Sequence, residues 1–316
     1  MYLAYFQLKD EPFRLTPDPR FLHLSEPHRA VLKTLLEGIL YRRGLIMISG
    51  PIGTGKTTVV HSTLQILGEI SRTRMPIRTA LLFNPVLTRE EFLEALLEEF
   101  EVPCASTSKP RRLMALHQML LDVQRRGGTA ALIIDEAHLL SSELLEEVRL
   151  LGNADTHQEK LLQIVLSGQP ELAAMMGRRE LSALQQRVAC RAQLRPLSEA
   201  ETRAYIAERL HRAGLNGTSP FPGHTIKTIQ QYSQGVPRLI NLVCDGCLVL
   251  GYQTQRKVVQ PDMVEEVAIS LNLPNTVGTL DRKPLAARSM PMDAPQKSAV
   301  DFLIEAMKQG RTAAQE

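Results

Sequence analysis

The densest run of residues able to do chemistry is Gly50-Pro51-Ile52-Gly53-Thr54-Gly55-Lys56-Thr57, followed by Thr58. It fits G-x-x-x-x-G-K-[ST], whose glycines let backbone N–H groups curl around phosphate oxygens. A helix that starts where the run ends adds the positive end of its dipole to the same anion. Lys56 then reaches the β- and γ-phosphates and Thr57 ligates Mg²⁺. These residue types at this spacing predict that the chain binds ATP with Mg²⁺.

A phosphate-binding loop needs a carboxylate at the tip of a neighbouring strand, and Leu132-Ile133-Ile134-Asp135-Glu136 supplies an apolar run ending in two acids. Asp135 is expected to hold the metal's water shell and Glu136 to orient an attacking water. A second polar tip is Ser167-Gly168-Gln169-Pro170, where Ser167 or Gln169 is placed to sense the γ-phosphate; an ordinary strand-to-helix turn reads almost as well for either alone.

Between Arg178 and Arg195 five arginines (178, 179, 187, 191 and 195) stand against one acid, Glu180. Arginine is the residue suited to bidentate phosphate recognition, and one delivered to a neighbour's γ-phosphate is worth about 10³ to 10⁵ in rate. Such use makes the active form an oligomer. Arg238, in Gly235-Val-Pro-Arg238, opens a later helix and is offered to the nucleotide of its own chain.

The elements that must hold these residues alternate. Candidate strands are residues 45–49, 78–84, 130–135, 161–167 and 193–195. Candidate helices lie near 56–70, 90–100, 112–126 and 143–151, with Thr88 and Glu91 spaced as a capping box. Ser25 caps an earlier helix that stops at Gly44. This order predicts an α/β fold with a mainly parallel sheet between helices. From Ser198 the strands disappear. Amphipathic helices near 198–213, 222–234, 237–252 and 261–272 predict a small all-helical second domain. Four regions follow: an opening segment (1–24), an α/β core (25–197), a helical lid (198–272) and a flexible tail (273–316) with a short amphipathic helix at 301–308. The Pro- and Phe-rich residues 5–24 are expected to pack as an irregular clasp on the α/β domain.

Composition narrows the class. With 316 residues, 44% of them apolar, wholesale disorder is excluded. Thirty-seven basic residues against 34 acidic ones give a formal net charge of +3, so any pull on nucleic acid is local. No apolar run approaches the roughly 18 residues of a spanning helix, and the N-terminus lacks a signal-peptide core. A cytoplasmic protein with no direct membrane insertion is expected. Cys244 and Cys247 have C-x-x-C spacing but sit in an apolar helical stretch without further metal-ligand spacing, which favours two core thiols over zinc or redox use. Asp135-Glu136-Ala137-His138 also spells a helicase box, but no room remains after Ser198 for a second helicase lobe.

With these parts in this order the chain resembles the AAA+ ATPases, and among them the general secretion pathway protein A (ExeA) family. The match covers residues 5–272. It is carried by Phe6-x-Leu8, Pro12-Phe13-x-Leu15-Thr16-Pro17-Asp18-Pro19-Arg20-Phe21-Leu22, Leu24-Ser25 and His28, by Ser167-Gly168-Gln169-Pro170-Glu171-Leu172, and by Gly235-Val236-Pro237-Arg238-Leu239-Ile240-Asn241. The resemblance implies a P-loop AAA+ core with a helical lid, an arginine finger at Arg187, a sensor arginine at Arg238, and Pro12 and Phe13 near the adenine. Secretion-type members continue into a transmembrane helix and a peptidoglycan-binding region, and this chain is expected to do without both.

Two functions compete at this point. One is an ATP-hydrolysing motor or switch, a homo-oligomer acting through a membrane-system or other protein partner of a secretion, pilus or polysaccharide export system. The other is a DNA-associated regulator of the transposition type, motivated by Lys109, Arg111, Arg112, Arg125 and Arg126. A nucleotide-bound scaffold without turnover is the third and blandest reading.

Overall fold

The structure is a computed structural model that describes residues 2–15, 24–83, 85–156 and 159–274. The tail helix expected at 301–308, the middle of the opening segment and Asn84 lie outside the described residues. The chain forms two compact units. One holds Ile52–Gly55 with the described parts of 1–27 and 195–296; the other is built from His28–Pro51 and Lys56–Leu194.

The chain begins with one turn, α1 (Tyr2–Tyr5), which belongs to the first of these units. The second unit is α/β. It runs from His28 in α2 (Glu26–Leu40) through β1 (Leu45–Ser49), α3 (Lys56–Thr73), β2 (Ile77–Leu82), α4 (Arg89–Glu99), α5 (Lys109–Arg125), β3 (Thr129–Ile134), α6 (Ser142–Leu151), β4 (Leu162–Gly168), α7 (Pro170–Met176) and α8 (Ser182–Gln185) to β5 (Val188–Gln193). Among the described residues the sheet has five strands in the order β2-β3-β4-β1-β5. Every pairing is parallel. Parallel strands need crossover helices on the faces, so both faces are covered. Each residue of β1, β3 and β4 is accordingly buried, and their Val/Ile/Leu runs show no alternation. Phe92, Leu96, Leu132, Ile134, Leu145 and Leu166 anchor the core on one side of this sheet.

Two expectations change here. The last strand starts at Val188, five residues before the expected position, because β5 is an edge strand with alternating burial and the polar residues Arg191 and Gln193 on its exposed side. Residues 170–185, left unassigned by periodicity, form the short helices α7 and α8 around a 3₁₀ turn at Arg179–Leu181.

The other unit is helical: α9 (Glu199–Arg212), α10 (Gly223–Ser233), α11 (Pro237–Gln253) and α12 (Pro261–Ser270). The opening segment is part of its core, not of the α/β core where the clasp was expected. Phe6, Leu8 and Phe13 pack with Tyr205, Phe221, Val243 and Leu248. Arg209 is almost fully buried and donates from Nε to the Pro12 carbonyl at 2.5 Å and from Nη1 to the Tyr205 hydroxyl at 2.6 Å. The segment's short helix and turns leave carbonyls that one forked guanidinium can satisfy. Cys244 and Cys247 are buried in the same core, and burial pushes both thiols up, Cys247 to about 12.

Candidate active site

The phosphate-binding loop leaves β1 at Gly50 and enters α3 at Lys56. Its first amide is fixed to the next strand: Gly50 N–H donates to the Gly168 carbonyl at 3.2 Å. Gly53 (φ +76°) and Gly55 (φ +99°) adopt the left-handed backbone the curl requires, which side chains with a Cβ disfavour. Lys56 heads α3 and is buried. Its ammonium donates to the carbonyls of Gly50 (2.9 Å) and Pro51 (3.2 Å), so it is stored against its own loop. Burial holds its pKa below the ordinary 10.5, against the opposing pull of Glu136, Asp135 and Glu171.

Asp135 gathers the rest. Its carboxylate is 1% exposed. Oδ2 accepts from Thr57 Oγ1 at 2.7 Å, and Oδ1 accepts from Ser167 Oγ at 2.7 Å and from the Glu136 amide at 3.0 Å. The first turn of α3, through Thr57, and the tip of β4, through Ser167, therefore meet on the carboxylate that follows β3. The hydroxyl and the carboxylate suited to a hard divalent cation already lie together, which is the donor set Mg²⁺ takes with its waters. Thr54 is fully buried in the loop and Thr58 half-buried in the first turn of α3.

Glu136 has left-handed backbone (φ +50°), strained for a residue with a Cβ. The turn sends its carboxylate back along the following 3₁₀ turn, Ala137–Leu139. There Glu136 Oε2 lies 3.3 Å from Nδ1 of His138. Gln169 Nε2 lies 3.0 Å from the other ring nitrogen of His138. Of the two residues named at the β4 tip, Ser167 thus touches Asp135 and Gln169 touches His138. No local spacing in the sequence marks His138 for this site, because its partner Gln169 lies thirty-one residues further on.

The arginines separate. Arg195 is held bidentate by Glu201 at 2.7 and 2.9 Å within the helical unit, so it is engaged by its own chain. Arg187 is exposed, and its Nη1 donates to the Arg149 carbonyl at 2.9 Å. Arg238 lies in the first turn of α11, and its amide donates to the Gly53 carbonyl at 3.2 Å. Pro12 and Phe13 are buried in the helical unit, the Phe13 ring edge-on to Phe221 at 5.9 Å. Packing explains both, and the adenine contact rests on the resemblance alone.

An AAA domain family matches residues 39–176, the stretch that carries β1, the loop and both acids. Residues 39–176 are an AAA domain. The chain is 37% identical over 268 residues to general secretion pathway protein A of Aeromonas hydrophila, an alignment covering 83% of this chain and 47% of that protein. It spans about half the length of that curated relative. Its fold is shared by the ORC2 protein of Aeropyrum pernix in ADPNP–ADP complexes, at TM-score 0.61 and 16% identity, with 83% of this chain and 72% of that chain covered. DNA-bound ORC of Drosophila gives TM-score 0.64 at 18% identity, covering 87% and 67%. Among the described residues no helix is long and apolar enough to cross a membrane.

Proposed function

We propose that the chain hydrolyses ATP with Mg²⁺ as an oligomer of its own copies in the cytoplasm, and that turnover drives or resets a protein partner of a secretion, pilus or polysaccharide export system. The observation that carries the hydrolytic part is the 2.7 Å bond between Thr57 and Asp135 with Glu136 next in the chain. Backbone N–H groups of residues 52–55 and the start of α3 cradle the phosphates. Lys56 exchanges the carbonyls of Gly50 and Pro51 for phosphate oxygens, a trade its partly desolvated charge favours. Thr57 and Asp135 hold Mg²⁺, which when bound withdraws charge from phosphate oxygens. Glu136 accepts a proton from the water that attacks the γ-phosphorus, leaving ADP and phosphate. Arg238 answers the nucleotide of its own chain, and Arg187 that of a neighbour.

Identity to general secretion pathway protein A supports the export setting. The cations that motivated a DNA role are largely committed: Lys109 to Glu147 at 2.7 Å, Arg112 to Glu94 at 3.2 Å and Arg125 to Asp122 at 3.1 Å. The test is Glu136→Gln, which is expected to lower turnover about 10²- to 10⁴-fold while nucleotide affinity is kept. Turnover equal to that of the unaltered protein would show that another group takes the proton.

A further inference from the structure

The two atoms that face each other beside the catalytic carboxylate, Glu136 Oε2 and His138 Nδ1, are both buried, and neither is in hydrogen-bond geometry with any partner in the structure. At 3.3 Å they are already within contact. What decides their interaction is the position of one proton on the imidazole, and Gln169 decides that. Its amide nitrogen, a donor only, lies 3.0 Å from His138 Nε2. With the Gln169 amide in this orientation Nε2 accepts, and the proton of a neutral ring then sits on Nδ1, aimed at the carboxylate. The reverse tautomer would set the lone pair of Nδ1 against a carboxylate oxygen.

The backbone is built to keep the two strand ends together. A Cβ on Gly168 would lie 3.2 Å from the His138 amide nitrogen and 3.0 Å from Leu172. Glycine lets the β4 tip close on the 3₁₀ turn, which brings Gln169 to the ring. His138 is the fixed member, with its side chain 13% exposed; Glu136, at 38%, is the one free to turn. A small rotation of the Glu136 side chain converts the off-axis contact into a hydrogen bond.

We propose that His138 is a positioning residue, its Nδ1–H holding Glu136 in register with the attacking water, and that Gln169 sets the tautomer that makes this possible. The inference rests on Glu136 being the catalytic carboxylate. It links the β4 tip to the proton acceptor through side chains, so that a displacement of Gln169 releases Glu136 without disturbing Asp135 or the metal site.

The test measures steady-state ATP hydrolysis and, separately, equilibrium binding of a fluorescent ATP analogue by the full chain. A misplaced catalytic group costs about 10²-fold, so His138→Ala is expected to lower kcat by about that factor with KM and analogue affinity unchanged. His138→Asn, whose amide nitrogen takes the place of Nδ1, restores most of the rate, whereas His138→Gln, whose amide falls nearer Nε2, does not. Gln169→Ala lowers kcat in the same direction and carries the test if His138→Ala does not fold. Glu136→Gln, measured alongside, separates the two claims. If it is inactive while His138→Ala and Gln169→Ala keep kcat, the positioning role is overturned and the site stands. If folded His138→Asn is as slow as His138→Ala, the role is also overturned. If Glu136→Gln turns over normally, the reading of the site itself falls.

Discussion

Asp135 is where the residue scale is most informative, because one buried carboxylate accepts donors from the first turn of α3, from the tip of β4 and from the amide of its own neighbour. Among the described residues the groups bonded to it are two hydroxyls and an amide, with no cation, which leaves it suited to a cation's water shell. Asp135→Asn keeps the shape but puts an N–H₂ opposite one of those donors. The backbone amide of Glu136 holds the remaining oxygen, so the new donor faces Thr57, the other residue assigned to the metal. Loss of an outer partner of this kind costs about 10- to 100-fold in metal affinity. Titration of Mg²⁺ against analogue binding is expected to show that loss with little change in melting temperature; an unchanged Mg²⁺ midpoint would remove Asp135 from the site. The identities at this scale were legible because they are set by spacing. Lys56, Thr57 and Asp135 are named by a loop pattern and by an apolar run ending in acid. The role of Gln169 was not legible, since its partner is His138, thirty-one residues away, and no local pattern records a tautomer.

Elements were legible where local chemistry is sufficient. Thr88 with Glu91 was read as a capping box and is one, with both reciprocal bonds formed at the start of α4. Ser198 and Glu201 form a second at the start of α9, where Ser198 Oγ accepts from the Glu201 amide and the Glu201 carboxylate accepts from the Ser198 amide. Removing such a cap costs about 1 kcal/mol, so Ser198→Ala is expected to lower the stability of the helical unit by that amount in urea. Glu201 carries a second load. Arg195 chiefly, with the Ser198 bonds, holds its pKa at about 2 against an ordinary 4.5. A depressed folded pKa means that the stabilisation is complete above 4.5 and is lost as pH falls through 2. Acid melts followed by circular dichroism should show this loss in the unaltered protein and a shallower one in Glu201→Gln. Elements were illegible where periodicity is weak. β5 alternates exposed and half-buried residues at a sheet edge and carries no apolar run, while α8 is a single turn too short to show a period. The opening segment was misplaced for another reason: its aromatics announce burial but not the partner, and Arg209, which fixes it to the helical unit, is far away in sequence.

At the scale of the whole molecule, the direction of the sheet decides what Arg187 is able to do. β5 runs parallel to β1, and Val188 pairs with Leu45, at the start of β1, whereas the phosphate-binding loop follows Ser49 at its end. Arg187 precedes Val188, so a strand length of roughly 13 Å lies between it and the loop end of the sheet. An arginine there lies at the end of the sheet opposite the loop of its own α/β unit, so the role proposed for it requires the nucleotide of another copy. Two measurements follow from this. Light scattering is expected to show assembly on addition of ATP. Arg187→Ala is expected to lose turnover by about 10³-fold or more, and Lys56→Ala to lose nucleotide binding. Mixed together, the two inactive proteins regain activity, because the intact loop of an Arg187→Ala copy meets the intact arginine of a Lys56→Ala neighbour. The recovered rate should pass through a maximum as the ratio is varied, since each working site needs one copy of each kind. Activity that stays at the level of the separate variants at every ratio would place Arg187 outside the reaction and leave its guanidinium as the cap on the Arg149 carbonyl that it forms here.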